Sequence, residues 1–192
     1  MTIDASGRFV AELAAMRIGS TYNQYAGSAL RRQRLRAYLS SRVEAPLLLV
    51  GEAAGYRGAR ISGVPFTSER QLSGTGPAEA SSTIVHRVLA ELGIEDDVLL
   101  WNVVPTHPGT AGSNRRPTRE EVAASRPFLA ELLRGRRVLA VGRVAAAELP
   151  AAPAVRHPSH GGAAAFAQGV RLFATIRPRR SQGCRFSVYE DI

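Results

Sequence analysis

The sequence has very few of the residues that build disulfides, metal clusters and lysine-based sites. Only one of its 192 residues is cysteine, Cys184, and none is lysine. One cysteine excludes a disulfide within the chain and an all-cysteine metal or iron–sulfur site. The lack of lysine excludes a phosphate-binding loop that carries one. The four histidines show no metal-ligand spacing, so we expect no metal and no cofactor.

Long apolar runs and export signals are also missing. No run approaches the roughly 18 residues that a membrane-spanning helix needs, and the first residues do not place an apolar segment after a charged one. The length is that of a single domain, which we expect to span residues 1–192. We therefore expect a cytoplasmic monomer that does not bind a membrane.

The charge balance, in contrast, is strongly positive. All 25 basic residues are arginine, against 16 acidic residues, and the formal net charge is +9. A GC-rich genome would explain arginine in place of lysine, but it would not explain the excess of positive charge. Guanidinium groups pair well with phosphate oxygens, and a basic surface concentrates polyanions around it. Nucleic acid is therefore the first partner that the composition indicates.

Four short runs of successive apolar residues each have the length of a buried strand. Amphipathic segments between them predict helices, one of which begins at a capping-box pair, Thr118 and Glu121, and contains Pro127. Strands that alternate with helices predict an α/β fold, a three-layer sandwich whose short, mainly parallel sheet has helices on both faces. The predicted strands are Leu47–Val50, Val98–Trp101, Val138–Val141 and Leu172–Ile176, and the predicted helices are Phe9–Met16, Leu30–Leu39, Ser81–Leu92 and Thr118 to about Gly135.

Polar residues gather where the predicted strands end. Gly51–Gly55 follows the first strand, Asn102 follows the second, and His157 follows the short run Ala154–Arg156. Ligands of parallel α/β sheets bind at the carboxyl ends of the strands, so these residues predict a site at that edge. The segment Gly142–Ala145, after the third strand, predicts a packed strand-to-helix turn instead.

Six short motifs follow one another along the chain from about Leu47 to Gly162. They are GEAAG (51–55), GVPFTSE (63–69), WNVVP (101–105), NRRPTREEV (114–122), VLAVGRVAA (138–146) and RHPSHGG (156–162). Each motif alone would be a weak signal, but the ordered set resembles the uracil-DNA glycosylase superfamily. The resemblance implies a monofunctional DNA glycosylase of base excision repair, which hydrolyses the N-glycosidic bond of uracil in DNA.

The resemblance also implies roles for individual residues. Phe66 would stack on a flipped-out uracil, and the Asn102 amide would pair with both an acceptor and a donor on its edge. His157 would donate to O2 of the leaving uracil, whose charge the backbone N–H groups of Glu52–Gly55 would also stabilise. Water would then attack the oxocarbenium-like sugar. The implied uracil contacts are Glu52, Ala53, Gly55, Tyr56, Phe66 and Asn102, and the implied DNA contacts are Arg115, Arg116, Ser159 and His160.

The first motif departs from many members of the family, which carry Asp or Asn at its third position to orient the attacking water. Ala53 stands there in this chain. The B-type branch has a carboxylate soon after the stacking phenylalanine, so the resemblance implies Glu69 for this role, with Glu52 as second candidate. The iron–sulfur branch shares the layout of the later motifs, but its cluster cysteines are absent. Gly55, with Tyr56 beside it, replaces a bulky tyrosine of the housekeeping type, which leaves the exclusion of thymine open.

Two functions of other classes remain as alternatives. A catalytically silent DNA-binding or lesion-sensing protein on the same scaffold is supported by Ala53. A nucleotide- or phosphate-binding α/β protein could use the glycine turn after the first strand, although the chain has no G-x-G-x-x-G motif there. The site residues also have ordinary structural interpretations: Phe66 as core, Asn102 as a turn cap and Glu69 as an ion pair with Arg70.

Overall fold

The computed structural model describes residues 3–175, with side chains from residue 5 onward. Helices and strands alternate along most of this range. In chain order they are α1 (Ile3–Ala15), α2 (Ala29–Ser41), β1 (Leu47–Ala53), α3 (Ala59–Ser62), α4 (Glu69–Ser73), α5 (Ala80–Glu91), β2 (Val98–Val104), α6 (Arg119–Leu133), β3 (Arg137–Val141), α7 (Arg143–Glu148), β4 (Ala154–Val155) and α8 (Ala163–Thr175).

The four strands form one parallel sheet in the order β2-β1-β3-β4. β1 lies between β2 and β3, and its first residue, Leu47, pairs with Val98 on one side and with Arg137 on the other. Because all strands run in the same direction, their carboxyl ends meet at one edge of the sheet. The predicted α/β fold with a parallel sheet is confirmed.

Both faces of the sheet are covered. In β1, Leu48 and Val50 pack into a cluster formed with α1, α2 and α6, whereas Leu47 and Leu49 pack into a second cluster with α5 and α8. Since successive side chains of a strand point to opposite faces, this alternation within a continuous apolar run shows two buried faces. The helices therefore form the two outer layers that the sequence predicted.

The capping-box prediction for α6 is also confirmed. The Thr118 hydroxyl accepts the N–H of Glu121 at 3.2 Å, and the Glu121 carboxylate accepts the N–H of Thr118 at 2.9 Å. These two bonds satisfy backbone donors that the first helical turn leaves free. Pro127 lies inside the helix, which continues to Leu133.

The prediction of a last strand at Leu172–Ile176 is wrong. Residues up to Thr175 belong to α8, and Ile176 lies outside the described residues. Phe166, Val170 and Phe173 are spaced at helical intervals and face the second cluster, so the apolar period is that of a helix. The fourth strand is the short pair Ala154–Val155 instead. Between residues 3 and 175, no helix is both long and apolar enough to cross a membrane.

Candidate active site

A cleft of about 1200 Å³ opens at the carboxyl edge of the sheet. Residues from the ends of β1 and β2, from the β3–α7 turn and from the loop after β4 form its walls. The polar residues that the sequence placed at strand ends therefore do meet in one cleft. The predicted site residues that line the cleft are Glu52, Ala53, Gly55, Tyr56, Phe66, Asn102, Arg115, Arg116, His157, Ser159 and His160.

Phe66 and Asn102, which both line the cleft, converge on Gly51. Gly51 in β1 pairs with Asn102 in β2, and a Cβ atom added at Gly51 would collide with the Phe66 ring and the Asn102 amide. Phe66 has a φ of +52°, a value that residues other than glycine rarely adopt. The ring belongs to the second core cluster and also lines the cleft. Strained backbone of this kind is typical of functional positions, where it fixes the direction of a side chain.

The Asn102 amide is buried but uncommitted. Asn102 lies within β2, which runs three residues further than the apolar pattern predicted, and only 4% of the residue is exposed. Within residues 3–175 its side chain has no hydrogen-bond partner in the protein, so Asn102 does not cap a turn. The residue lines the cleft, so its amide is open to a ligand that offers both an acceptor and a donor. Asn102 is therefore the strongest ligand-binding candidate in the cleft.

The hydrogen bonds of His157 define which of its nitrogens can donate. The backbone N–H of Ser159 donates to Nδ1 of His157 at 3.2 Å, and the Ser159 hydroxyl lies 2.8 Å from the same nitrogen. A backbone N–H can only donate, so Nδ1 carries the lone pair and the proton of the neutral ring is on Nε2. Burial lowers the pKa of His157, and the charge of His160 lowers it further. His157 is thus a neutral histidine with its N–H on Nε2.

The two predicted carboxylates occupy different surroundings. Glu52 lines the cleft, where burial raises its pKa and the charges of Arg116 and Arg143 oppose that increase. Glu69 does not line the cleft. Its carboxylate accepts two hydrogen bonds from Arg34, at 2.7 and 2.9 Å, and these bonds lower its pKa. The structure therefore brings Glu52, and not Glu69, to the site.

Glu79 is a third carboxylate of the cleft, and sequence reasoning missed it. It immediately precedes α5, lines the cleft and has its pKa raised by burial. Its carboxylate packs on the turn after β1, because a Cβ atom at Gly55 or Gly58 would collide with it. An acidic residue before a helix is ordinary in sequence, so only the packing of this loop shows its position.

Arginines surround the cleft, but they are not equally free. Arg115 donates to both carboxylate oxygens of the buried Glu121, at 2.8 and 2.6 Å, and to the Ser20 hydroxyl at 2.9 Å. Its guanidinium is therefore committed to the protein. The exposed arginines that also line the cleft are Arg57, Arg116, Arg143 and Arg156.

In the part of the chain that the structure describes, no three His, Cys, Asp or Glu side chains are grouped so that they could hold a metal ion. Cys184 lies outside the described residues.

Comparisons with known proteins agree on one family. The sequence model of the Uracil DNA glycosylase superfamily matches residues 39–185 of the chain. A Type-4 uracil-DNA glycosylase of Pyrobaculum aerophilum is 33% identical over 107 residues, which are 54% of this chain and 47% of that protein. The chain thus matches about half the length of this curated relative.

A crystal structure of wild-type Pedobacter heparinus SMUG2 has a similar fold. It superimposes with a TM-score of 0.67 at 14% sequence identity, and the match covers 91% of this chain and 99% of that one. At this identity the likeness supports the architecture alone.

Proposed function

The chain belongs to the uracil-DNA glycosylase superfamily, and we propose that it is a monofunctional DNA glycosylase that hydrolyses the N-glycosidic bond of uracil in DNA. One observation carries the proposal. An aromatic ring, a buried amide without a partner and a neutral histidine, from Phe66, Asn102 and His157, line one cleft at the carboxyl edge of the sheet. These three groups are what the recognition and release of a pyrimidine require.

Recognition begins with a uracil turned out of the duplex. Extrusion costs roughly a few kcal/mol, and stacking on an aromatic ring returns about 1–3 kcal/mol per base. Phe66 provides the ring. Asn102 donates to O4 and accepts from N3–H, so both of its amide atoms gain the partners that the protein does not supply.

Bond cleavage leaves the electron pair of the C1′–N1 bond on uracil, mostly on N1 and O2. His157 donates its Nε2–H toward O2, and backbone N–H groups of the turn after β1 stabilise the same charge. The N–H of Gly55 has no acceptor among the described residues, whereas the N–H of Tyr56 donates to Asn114 at 2.9 Å. A water oxygen bonds to C1′ of the oxocarbenium-like sugar and releases one proton.

We propose that the Glu52 carboxylate orients the attacking water and accepts its proton. It lines the cleft directly before Ala53, where many relatives carry the acid or amide. Its raised pKa makes it a stronger base than an ordinary glutamate. Glu69 is less suitable, because both of its oxygens are occupied by Arg34.

The exposed arginines of the cleft provide the DNA contacts. Arg57, Arg116, Arg143 and Arg156 surround the site and make no ion pair with an acidic side chain of the described residues, so their charge is available to phosphates. Arg156 also donates to the carbonyl oxygen of His160, at 3.0 Å. Contacts with phosphates release counterions and make binding dependent on salt. Ser159 and His160, in the loop that holds His157, also line the cleft, which supports a role for them in contacting the strand beside the flipped base.

The test is single-turnover incubation with labelled duplexes that contain U·G, U·A, T·G or hypoxanthine·T pairs. We expect release of the base from both uracil duplexes and little from T·G. Binding without release from any duplex would instead favour a silent lesion-sensing protein, the alternative that Ala53 supports.

A further inference from the structure

His107 is a buried histidine that the proposed reaction does not use. It lies in the loop after β2 and is 0% exposed. Its Nδ1 lies 2.7 Å from the carbonyl oxygen of Ala54, and its Nε2 lies 2.7 Å from the carbonyl oxygen of Thr110. The backbone of His107 exchanges two hydrogen bonds with Tyr22, at 2.8 and 3.0 Å, which fixes the position of the residue.

Two carbonyl acceptors need two donors. A neutral imidazole has one N–H, so its other nitrogen would direct a lone pair at a carbonyl oxygen. Rotating the ring by a half turn about the Cβ–Cγ bond would not provide a second donor, because carbon atoms would then face both carbonyl oxygens. An imidazolium donates from both nitrogens and satisfies both acceptors.

The cleft contains an acidic group that can balance this charge. Glu79 packs on the turn after β1, the same turn whose Ala54 carbonyl His107 holds. Burial raises the pKa of Glu79, and this increase is opposed by the hydrogen bond that the Ser82 hydroxyl donates at 3.0 Å and by the interaction with His107. We propose that His107 is an imidazolium whose charge Glu79 balances from across the turn, without a direct ion pair, and that the two residues together position the Ala54–Gly55 peptide for catalysis.

The geometry of the peptide connects this pair to the cleft. The Ala54 carbonyl and the Gly55 N–H belong to one planar trans peptide and point in opposite directions. Holding the carbonyl on His107 therefore directs the Gly55 N–H away from that ring, and no described residue accepts it. This inference rests on the proposed function, since only there does the N–H meet a leaving anion. His107 and Glu79 are positioning residues, because they act through the backbone of the turn.

The charge of His107 can be measured without any substrate. Protein labelled with ¹⁵N-histidine gives ring-nitrogen signals that distinguish imidazolium from the neutral tautomers. The His107 signals are assigned by subtraction, with His86, His157 and His160 replaced by glutamine one at a time. At about pH 7.5, where an ordinary histidine is mostly neutral, we expect both His107 nitrogens to be protonated. A neutral tautomer pattern would overturn the proposal, whatever the activity.

Glu79→Gln tests the counter-ion, since it keeps the size of the side chain and an oxygen for Ser82. We expect His107 to become neutral in this variant and the single-turnover rate to fall about tenfold, because misplacing catalytic groups by about 1 Å costs up to 10²-fold. Glu91→Gln, the same change at an exposed carboxylate of α5 that pairs with Arg87 and does not line the cleft, is the control and should keep the wild-type rate. An unchanged imidazolium and an unchanged rate in Glu79→Gln would refute the pairing. Failure of the wild-type protein to release uracil would defeat the proposed function but leave the nitrogen signals to decide the charge of His107.

Discussion

Replacing Asn102 with alanine separates catalysis from stability more cleanly than any other change in the cleft. The amide makes no hydrogen bond within residues 3–175, so Asn102→Ala removes no internal bond and costs only about 1 kcal/mol of unfolding free energy. In the complex, the same change leaves two polar groups of uracil unpaired. Each unpaired group costs roughly 1–3 kcal/mol, which together lowers the rate by about 30-fold to about 10⁴-fold.

Asn23→Ala is the matched control for this experiment. The Asn23 amide donates to the carbonyls of Leu13 and Met16 at 2.8 and 2.9 Å, and its oxygen accepts the N–H of Tyr25 at 3.0 Å. At about 0.5–1.5 kcal/mol per bond, its loss should lower the melting temperature by several degrees. The rate of uracil release from a U·G duplex, measured below that temperature, should stay near wild type. If Asn102→Ala melts near the wild-type temperature and keeps the wild-type rate, the amide is not the base reader.

Four further predictions follow from the surroundings of individual side chains. Glu52→Gln should slow single-turnover release by about 10²-fold or more. Glu69→Gln should mainly lower the melting temperature, since Glu69 pairs with Arg34 outside the cleft. A larger loss of rate in Glu69→Gln than in Glu52→Gln would exclude Glu52 as the base. Burial lowers the pKa of His157 in the folded protein, so its contribution to stability is present above pH 6.5 and is lost as the pH falls from that value through the lowered pKa. Thermal melts of His157→Gln should depend less on pH in this range than those of wild type. The hydrogen bonds from Arg115 lower the pKa of Glu121 to about 2, so the stabilising contribution of Glu121 is present above pH 4.5 and is lost as the pH falls toward 2. Arg115→Ala should lower the free energy of unfolding by about 3 kcal/mol, measured by urea unfolding at pH 7. DNA binding, measured by fluorescence anisotropy, should weaken steeply between low and physiological salt, and a flat curve would contradict an electrostatic partner.

The layered fold was predictable from the sequence because its signals are local. Leu47–Val50 and Val98–Trp101 are apolar on both faces, and only strands buried on both faces need such runs. The Thr118–Glu121 pair marks a helix start through bonds within four residues. The strand prediction for Leu172–Ile176 failed because it treated successive apolar residues as buried, although Leu172 is exposed. The buried residues Phe166, Val170 and Phe173 have helical spacing instead.

Local sequence signals indicated the position of the site only through residues at strand ends, whereas Phe66 was named from the family resemblance. Asn102 and His157 follow apolar runs, so the rule for parallel sheets brings them to one edge. Glu69 and Glu79 lie ten residues apart in the long connection between β1 and β2, and nothing local distinguishes them. In the folded loop, Glu69 pairs with Arg34 and Glu79 packs against Gly55. These tertiary contacts cannot be predicted from the spacing of residues in the sequence.

The electrostatic balance of the cleft favours a mechanism that depends on anion stabilisation. Glu52 and Glu79 both have raised pKa values, since burial makes their charged forms costly. The charges of Arg116 and Arg143 oppose this effect at Glu52, and the hydrogen bond from Ser82 opposes it at Glu79. A leaving uracil anion would therefore meet a neutral His157, a free backbone N–H and a rim of arginines, all of which stabilise negative charge. Because Ala53 stands in place of an acid, fewer groups activate the water than stabilise the leaving uracil. His157→Ala should therefore slow release more than Glu52→Gln does. If the glutamate change proved the more damaging, activation of the water and not departure of the base would limit the reaction.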